Sequence, residues 1–226
     1  TYPSGHKKSI YKKVNPYLFY RNLSDYLSTN EIVITDTGST IAWASQAMKF
    51  NSRIRLIHDF NNTAMGYALP ASIGALMANS KNKVTCIAGD GSFMMNIQEL
   101  STVSEYNLPL KIFVINNEGY SMVKQTQEQW LEGKHYATSK GYGLSFPNFK
   151  NIAKAFNIEY MLIKNDSDLK KLKLIKKNKK AILIELLVDE KERVTPQSKF
   201  GYPIEDSEPL LTRDEFRKNM IIDPIS

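Results

Sequence analysis

The sequence predicts an α/β fold: a three-layer, doubly wound, mostly parallel sheet with helices on both faces. Three observations carry that expectation. Short apolar runs alternate with helix-like segments, the order that covers a parallel sheet on both sides. The runs at 84–88 and 111–115 are largely apolar and too short to be independent helices. Polar, glycine-bearing stretches follow three of the runs, and ligands of such sheets bind beyond the carboxyl ends of the strands.

Each element has its own signal. Asn15-Pro16 is an N-cap followed by proline at the first helical position, so a helix opens there and runs to about residue 27. Residues 31–35, with Ile-Val-Ile at the centre, form a strand leading into Asp36-Thr37-Gly38-Ser39-Thr40 and a helix to about Met48. A second strand is expected at 53–57. Residues 65–78, rich in Ala, Gly and Ser, predict a closely packed helix, which Pro70 would kink. The strand at 84–88 enters Gly89-Asp90-Gly91, and a helix at 93–106 is closed by Asn107 and Pro109. The strand at 111–115 delivers Asn116-Asn117. After a long polar stretch come a helix at 149–156, a strand at 158–163, a lysine-rich helix and a strand at 181–188. Residues 15–190 thus form one domain, and 191–226, with four prolines, an extended tail.

Composition narrows the function classes. A chain of 226 residues with 42% apolar and 23% charged residues buries a full core and is not disordered. No apolar run approaches the length of a membrane span, and Thr1-Tyr2-Pro3-Ser4 lacks a signal-peptide layout. With the single Cys86 in an apolar run, this predicts a cytoplasmic protein without membrane contact, its thiol buried in the core. The net charge of +7 comes largely from the lysines of 170–180. Leu169, Leu172 and Ile175 recur there every third residue, so the lysines read as the wet face of a helix, and no nucleic-acid partner is expected.

The chemistry gathers on three loops. Asp90 and Asn117 lie 27 positions apart, at the ends of two strands, and present a carboxylate and an amide oxygen to one edge of the sheet. Such a pair suits Mg²⁺, which takes one or two protein oxygens plus phosphate and water. Gly38-Ser39-Thr40 and Gly91-Ser92 stand where helices begin and offer N–H groups and hydroxyls to phosphate. Neither a Gly-x-x-x-x-Gly-Lys-Ser/Thr loop nor a Gly-x-Gly-x-x-Gly after a strand is present, which argues against a P-loop NTPase and a simple nicotinamide-binding unit. His58 and His135 read as structural or surface histidines. Tyr120, Met122 and Gln125 follow the metal loop and could face a substrate.

Four ordered motifs then resemble a known family. Asp36-Thr37-Gly38-Ser39, Ala64-Met65-Gly66-Tyr67-Ala68-Leu69-Pro70-Ala71, Gly89-Asp90-Gly91-Ser92-Phe93, and Asn116-Asn117 before Met122-Val123 are similar to the C-terminal, diphosphate-binding domain of thiamine-diphosphate-dependent enzymes of the acetolactate synthase group. The resemblance runs from about Tyr2 to Pro196. It implies thiamine diphosphate and Mg²⁺ as cofactors, with Asp90, Asn117 and the Gly119 carbonyl as metal ligands. It places Gly38, Ser39, Thr40, Gly89, Gly91, Ser92 and Met122 at the cofactor. Met65 would support the bend between the cofactor's two rings, and the Thr63 carbonyl would accept a hydrogen bond from the aminopyrimidine. The implied substrate is a small 2-oxo acid, undergoing decarboxylation or carboligation.

The resemblance also implies a partner. The family activates its cofactor with a glutamate from a pyrimidine-binding domain of the same or a partner chain, within a homodimer or homotetramer. No glutamate here matches it, so residues 1–14 read as a linker from an upstream domain, and the chain is expected to be inactive alone. Thr126 stands where acetolactate synthases usually carry tryptophan. The tail motifs Pro209-Leu210-Leu211 and Asn219-Met220-Ile221-Ile222 resemble those of thiamine-dependent proteins from surface-polysaccharide gene clusters. A non-catalytic cofactor-binding module and a flavodoxin-like phosphate binder remain as alternatives.

Overall fold

The computed structural model describes residues 12–50, 54–176 and 178–224. Helix α1 is Pro16–Tyr26, and the Asn15 side chain caps it by accepting the N–H groups of Tyr17 and Leu18 at 2.9 and 3.1 Å. Such a cap is worth about 1 kcal/mol. Strand β1 (Glu31–Thr35), helix α2 (Ser39–Ala47), strand β2 (Arg55–Ile57) and helix α3 (Ala68–Ala78) follow. Next come β3 (Lys83–Gly89), α4 (Asp90–Met95), a 3₁₀ turn and α5 (Leu100–Glu105). Strand β4 (Lys111–Asn116), α6 (Ser121–Trp130), α7 (Phe149–Ala155), β5 (Glu159–Ile163), a second 3₁₀ segment, α8 (Leu172–Ile175) and β6 (Ile182–Leu187) complete the core.

The six strands form one all-parallel sheet in the order β2-β1-β3-β4-β6-β5. This is the α/β three-layer fold expected from the sequence. Alternate residues of each strand feed two cores. Val33, Ile87, Phe113, Ile115, Ile184 and Leu186 pack with α1, α2 and α8. Ile34, Cys86, Ala88, Ile112, Val114 and Leu183 pack with α3, α4, α5 and α7. The chain leaves β1 to one side for β2 and returns on the other for β3. The connections after β1 and β3 therefore diverge, and a crevice opens between them, as at any topological switch point.

Local structure departs from sequence expectation at four places. The helix expected over 65–78 begins at Ala68, because Gly66 holds a φ of +85° that a helix cannot contain. Pro70 then falls in the first turn, where its missing N–H is not needed and no kink is required. The helix expected over 93–106 starts earlier, at Asp90, and is interrupted by the 3₁₀ turn at Ile97–Glu99. Asp90 and Gly91 thus belong to a helical first turn rather than to an open loop.

The lysine-rich helix reduces to a 3₁₀ segment (Asp166–Lys171) and the four-residue α8. Asn165 caps the 3₁₀ segment by accepting the Ser167 N–H at 3.0 Å, and Asp168 accepts the Lys164 N–H ahead of it at 2.9 Å. Its apolar stripe is nonetheless buried at Leu169, Leu172 and Ile175. The tail is not uniformly extended, since α9 (Arg213–Asn219) forms within it, capped by Thr212. The start of the linker, residues 1–11, and Arg53 of the expected second strand lie outside the described residues. Among the described residues no helix is long and apolar enough to cross a membrane.

Candidate functional site

The loop after β1 is organised by Asp36. Its carboxylate is buried and accepts N–H groups from Thr37 (3.0 Å), Gly66 (3.0 Å) and Ala68 (3.2 Å). Burial raises its pKa, opposed by these backbone bonds and by the Ser92 hydroxyl. Asp36 therefore ties the end of β1 to the segment that enters α3. Asn96 fixes the same segment by donating to the Gly66 carbonyl at 2.8 Å. A Cβ at Gly66 would come within 2.8 Å of both the Asn96 amide and Met95. These contacts hold Thr63 and Met65 at the mouth of the crevice.

Asp90 lies between the ends of β3 and β4. It is 1% exposed, and its oxygens accept the N–H groups of Gly91 (2.6 Å), Asn117 (3.0 Å) and Gly119 (3.2 Å). Burial pushes its carboxyl up to about 7 even against these bonds. Among the described residues no basic side chain forms an ion pair with Asp90. A buried carboxylate without a counter-charge is costly, and in water-poor surroundings it favours a cation from outside.

The loop carrying Asn117 and Gly119 is pinned from its far side. Tyr120 donates its N–H to the Thr138 carbonyl at 2.8 Å, and Lys140 donates to the Glu118 carbonyl at 3.3 Å. Glycine is required at 119, since a Cβ there would stand 2.5 Å from the Thr138 oxygen.

These loops enclose a pocket of about 270 Å³. All twelve residues singled out from the sequence line it: Gly38, Ser39, Thr40, Thr63, Met65, Gly89, Asp90, Gly91, Ser92, Asn117, Gly119 and Met122. Their engagements differ. The Ser39 hydroxyl is buried with no hydrogen-bond partner among the described residues. It stands at the start of α2, whose cap, Gly38 at φ +84°, supplies no side chain to the free N–H groups of the first turn. Thr40, in contrast, spends its hydroxyl on the carbonyls of Asp36 (2.6 Å) and Thr37 (2.8 Å). Ser92 turns towards Asp36. The Gly91 N–H is taken by Asp90, and what Gly91 contributes is space. A Cβ there would meet the Tyr120 ring at 2.0 Å.

The remaining candidates separate cleanly. Tyr120 and Met122 line the pocket, together with Trp43, which carried no functional signal in the sequence. Gln125 does not face the pocket. It is buried and bonds the backbone of Val194 through both ends of its amide, at 2.9 and 3.1 Å. His58 is buried with Nδ1 3.0 Å from the Thr35 carbonyl, and His135 lies 3.3 Å from Glu128, outside the pocket. Cys86 is buried, and burial pushes its thiol up to about 12. Asp36, which stood in the first motif without an assigned role, and Asn96, which was not singled out, are the positioning residues that the structure adds. A carboxylate immediately after an apolar strand was the available signal for the first.

Comparison with known proteins gives the family. Residues 36–186 match the family described as thiamine pyrophosphate enzyme, C-terminal TPP binding domain. The chain is 38% identical over 169 residues to the acetolactate synthase isozyme 1 large subunit of Escherichia coli (strain K12), covering 74% of this chain and 29% of that protein. It is 36% identical over 174 residues to the acetolactate synthase large subunit of Porphyra purpurea, covering 76% and 29%. Against acetolactate synthase 1, chloroplastic, of Zea mays it is 30% identical over 210 residues, covering 91% and 33%. The chain thus spans about a third of the length of the curated relatives it matches. It belongs to the thiamine pyrophosphate enzyme family, as a C-terminal TPP-binding domain.

Proposed function

We propose that this chain is the diphosphate- and cation-holding part of a thiamine-diphosphate- and Mg²⁺-dependent enzyme that decarboxylates a 2-oxo acid or joins its acyl unit to an acceptor. Family membership implies the two cofactors. One observation carries the assignment to these residues: the unpaired buried carboxylate of Asp90 shares a pocket with Asn117 and with the unpartnered Ser39 hydroxyl.

The residues present fit the cofactor. Asp90, Asn117 and the Gly119 carbonyl form an all-oxygen donor set, which suits a hard divalent cation. Ser39 and the first-turn N–H groups of α2 supply hydrogen bonds and a favourable helix dipole for a diphosphate. Met65, Met122 and Trp43 provide apolar wall; Met65 and the Thr63 carbonyl would serve the ring system. When bound, thiamine diphosphate supplies the electron sink for breaking or making the bond beside the substrate carbonyl. The chain's own part is to hold the diphosphate, balance charge through the cation and exclude water from the pocket floor.

No glutamate lines this pocket among the described residues. That supports a site completed by a pyrimidine-binding domain, from the same or a partner chain, in a homodimer or homotetramer. The relatives are acetolactate synthases, and pyruvate-like acids are the first substrates to test.

The test is calorimetric titration of the intact protein with thiamine diphosphate, with and without Mg²⁺. Saturable binding that requires the metal is expected. Absence of binding at millimolar cofactor would overturn the assignment, and binding without turnover on a 2-oxo-acid panel would favour a non-catalytic module.

A further inference from the structure

Asn116, the last residue of β4, precedes the proposed metal ligand Asn117 and holds its loop through both ends of one amide. Its Oδ1 accepts the N–H of Glu118 at 3.2 Å, and its Nδ2 donates to Glu185 Oε1 at 2.7 Å. Glu118 has a φ of +56°, an unfavourable conformation for a residue with a side chain, so the turn needs outside support. Glu185 is 8% exposed in the middle of β6 and accepts the Tyr160 hydroxyl of β5 on Oε2 at 2.5 Å. Burial and the Glu185 carboxylate both raise the Tyr160 pKa, which keeps it a donor.

The sheet register makes this a line. Glu185 pairs with Val114 and Tyr160 with Leu183, so Tyr160, Glu185 and Asn116 are diagonal neighbours on one face. They step across three strands towards the pocket. The logic lies in the carboxylate, which accepts hydrogen bonds and cannot donate one. Asn116 must therefore turn its NH₂ to Glu185, and that leaves Oδ1, and not a second donor, facing the Glu118 N–H. A reversed amide would set acceptor against acceptor at Glu185 and donor against donor at the Glu118 N–H.

We infer that Glu185 and Tyr160 are positioning residues for the cation site, acting through Asn116 to fix the 116–119 turn that presents Asn117 and the Gly119 carbonyl beside Asp90. The inference rests on the function proposed above. Outer partners of metal ligands typically change metal affinity by about 10- to 100-fold when removed.

The test is the Mg²⁺ dissociation constant of the intact protein at saturating thiamine diphosphate, read by calorimetry rather than by turnover. Glu185→Leu is expected to weaken Mg²⁺ by about tenfold or more, and Tyr160→Phe by a smaller factor. Glu185→Gln retains an acceptor for Asn116 and should stay within about threefold of wild type, a rescue that mere filling of the core would not require. In an Asn116→Ala background, Glu185→Leu should add less than about threefold, because the relay is already cut. If Glu185→Leu does not fold, Tyr160→Phe in the wild-type and Asn116→Ala backgrounds runs the same cycle. Wild type that binds no metal would overturn the functional proposal. Wild type that binds, with Glu185→Leu and Tyr160→Phe binding equally well, would overturn the relay alone.

Discussion

Two buried carboxylates at opposite ends of the same sheet have opposite surroundings. Glu31, at the start of β1, is 0% exposed and fully provided for: Lys111 Nζ lies at 2.5 Å, the Thr85 hydroxyl at 2.6 Å and the Ser28 N–H at 2.7 Å. Asp90, at the end of β3, is as buried but receives only backbone N–H groups. The first carboxylate brings its own cation and is structural. The second has none within the described residues, which fits the cation site proposed above. Burial without a built-in counter-charge is shared by Asp36 and Glu185; what sets Asp90 apart is that it lines the pocket with Asn117 and the Ser39 hydroxyl.

That contrast can be broken or sharpened by substitution. Glu31→Ala should have the largest effect on stability, leaving Lys111 buried without its partner at a cost of about 3–5 kcal/mol, read by chemical unfolding. A loss below about 1 kcal/mol would mean that the two ends of the sheet do not differ as argued. Asp90→Asn should do the reverse. It removes an uncompensated charge but sets an NH₂ against a backbone N–H that a carboxylate oxygen had accepted, so the protein without cofactor should lose less stability than in Glu31→Ala, while Mg²⁺-dependent cofactor binding falls by about 100-fold, equal to about 2.7 kcal/mol. Equal cofactor affinity in this variant would remove Asp90 from the metal site.

Smaller effects refine the picture within the pocket. Ser39→Ala should weaken thiamine diphosphate by about tenfold, the value of one hydrogen bond to a charged group, with unchanged unfolding. Thr40→Val should instead lower stability by about 1 kcal/mol with little change in affinity, because its hydroxyl serves two backbone carbonyls. Reversed behaviour of the pair would show that Thr40 rather than Ser39 meets the diphosphate.

The smallest predicted effect lies outside the pocket, where Arg193 bonds Glu128 and joins α6 to the segment after β6. The Arg193 guanidinium holds the Glu128 carboxyl below its ordinary 4.5. A depressed folded pKa stabilises above the unfolded value and loses that contribution as pH falls through the folded one. Thermal stability should therefore drop by less than about 1 kcal/mol from this pair below pH 4.5, and Glu128→Gln should remove that component of the pH profile.

Much of the fold was legible because its signals are local. The Asn15 cap, the apolar runs of β1, β3 and β4, and the glycine-bearing strand ends each announce themselves within a few residues. The pocket's membership was legible for the same reason, since loops that follow neighbouring parallel strands must share an edge. What each residue does there was less so. Thr40 and Ser39 are adjacent hydroxyls in the sequence, yet only the α2 geometry turns one to the backbone and leaves the other open. Gln125, polar and close behind the metal loop, is drawn away by Val194, 69 positions later. The lysine-rich stretch kept its buried apolar stripe but divided into a 3₁₀ segment and the four-residue α8, a division that periodicity does not reveal.

By itself, then, the sequence determined the layers, the strand ends and the residue types offered at the crevice, because periodicity and turn chemistry act over a few residues. Only the tertiary structure decided the strand order β2-β1-β3-β4-β6-β5, which puts the crevice beside β1. It also decided which buried charge is neutralised from within. Lys111 reaches Glu31 across 80 positions, while no basic side chain forms an ion pair with Asp90 among the described residues. Charge compensation depends on distance in space and on exclusion of water, neither of which is written in neighbouring residues.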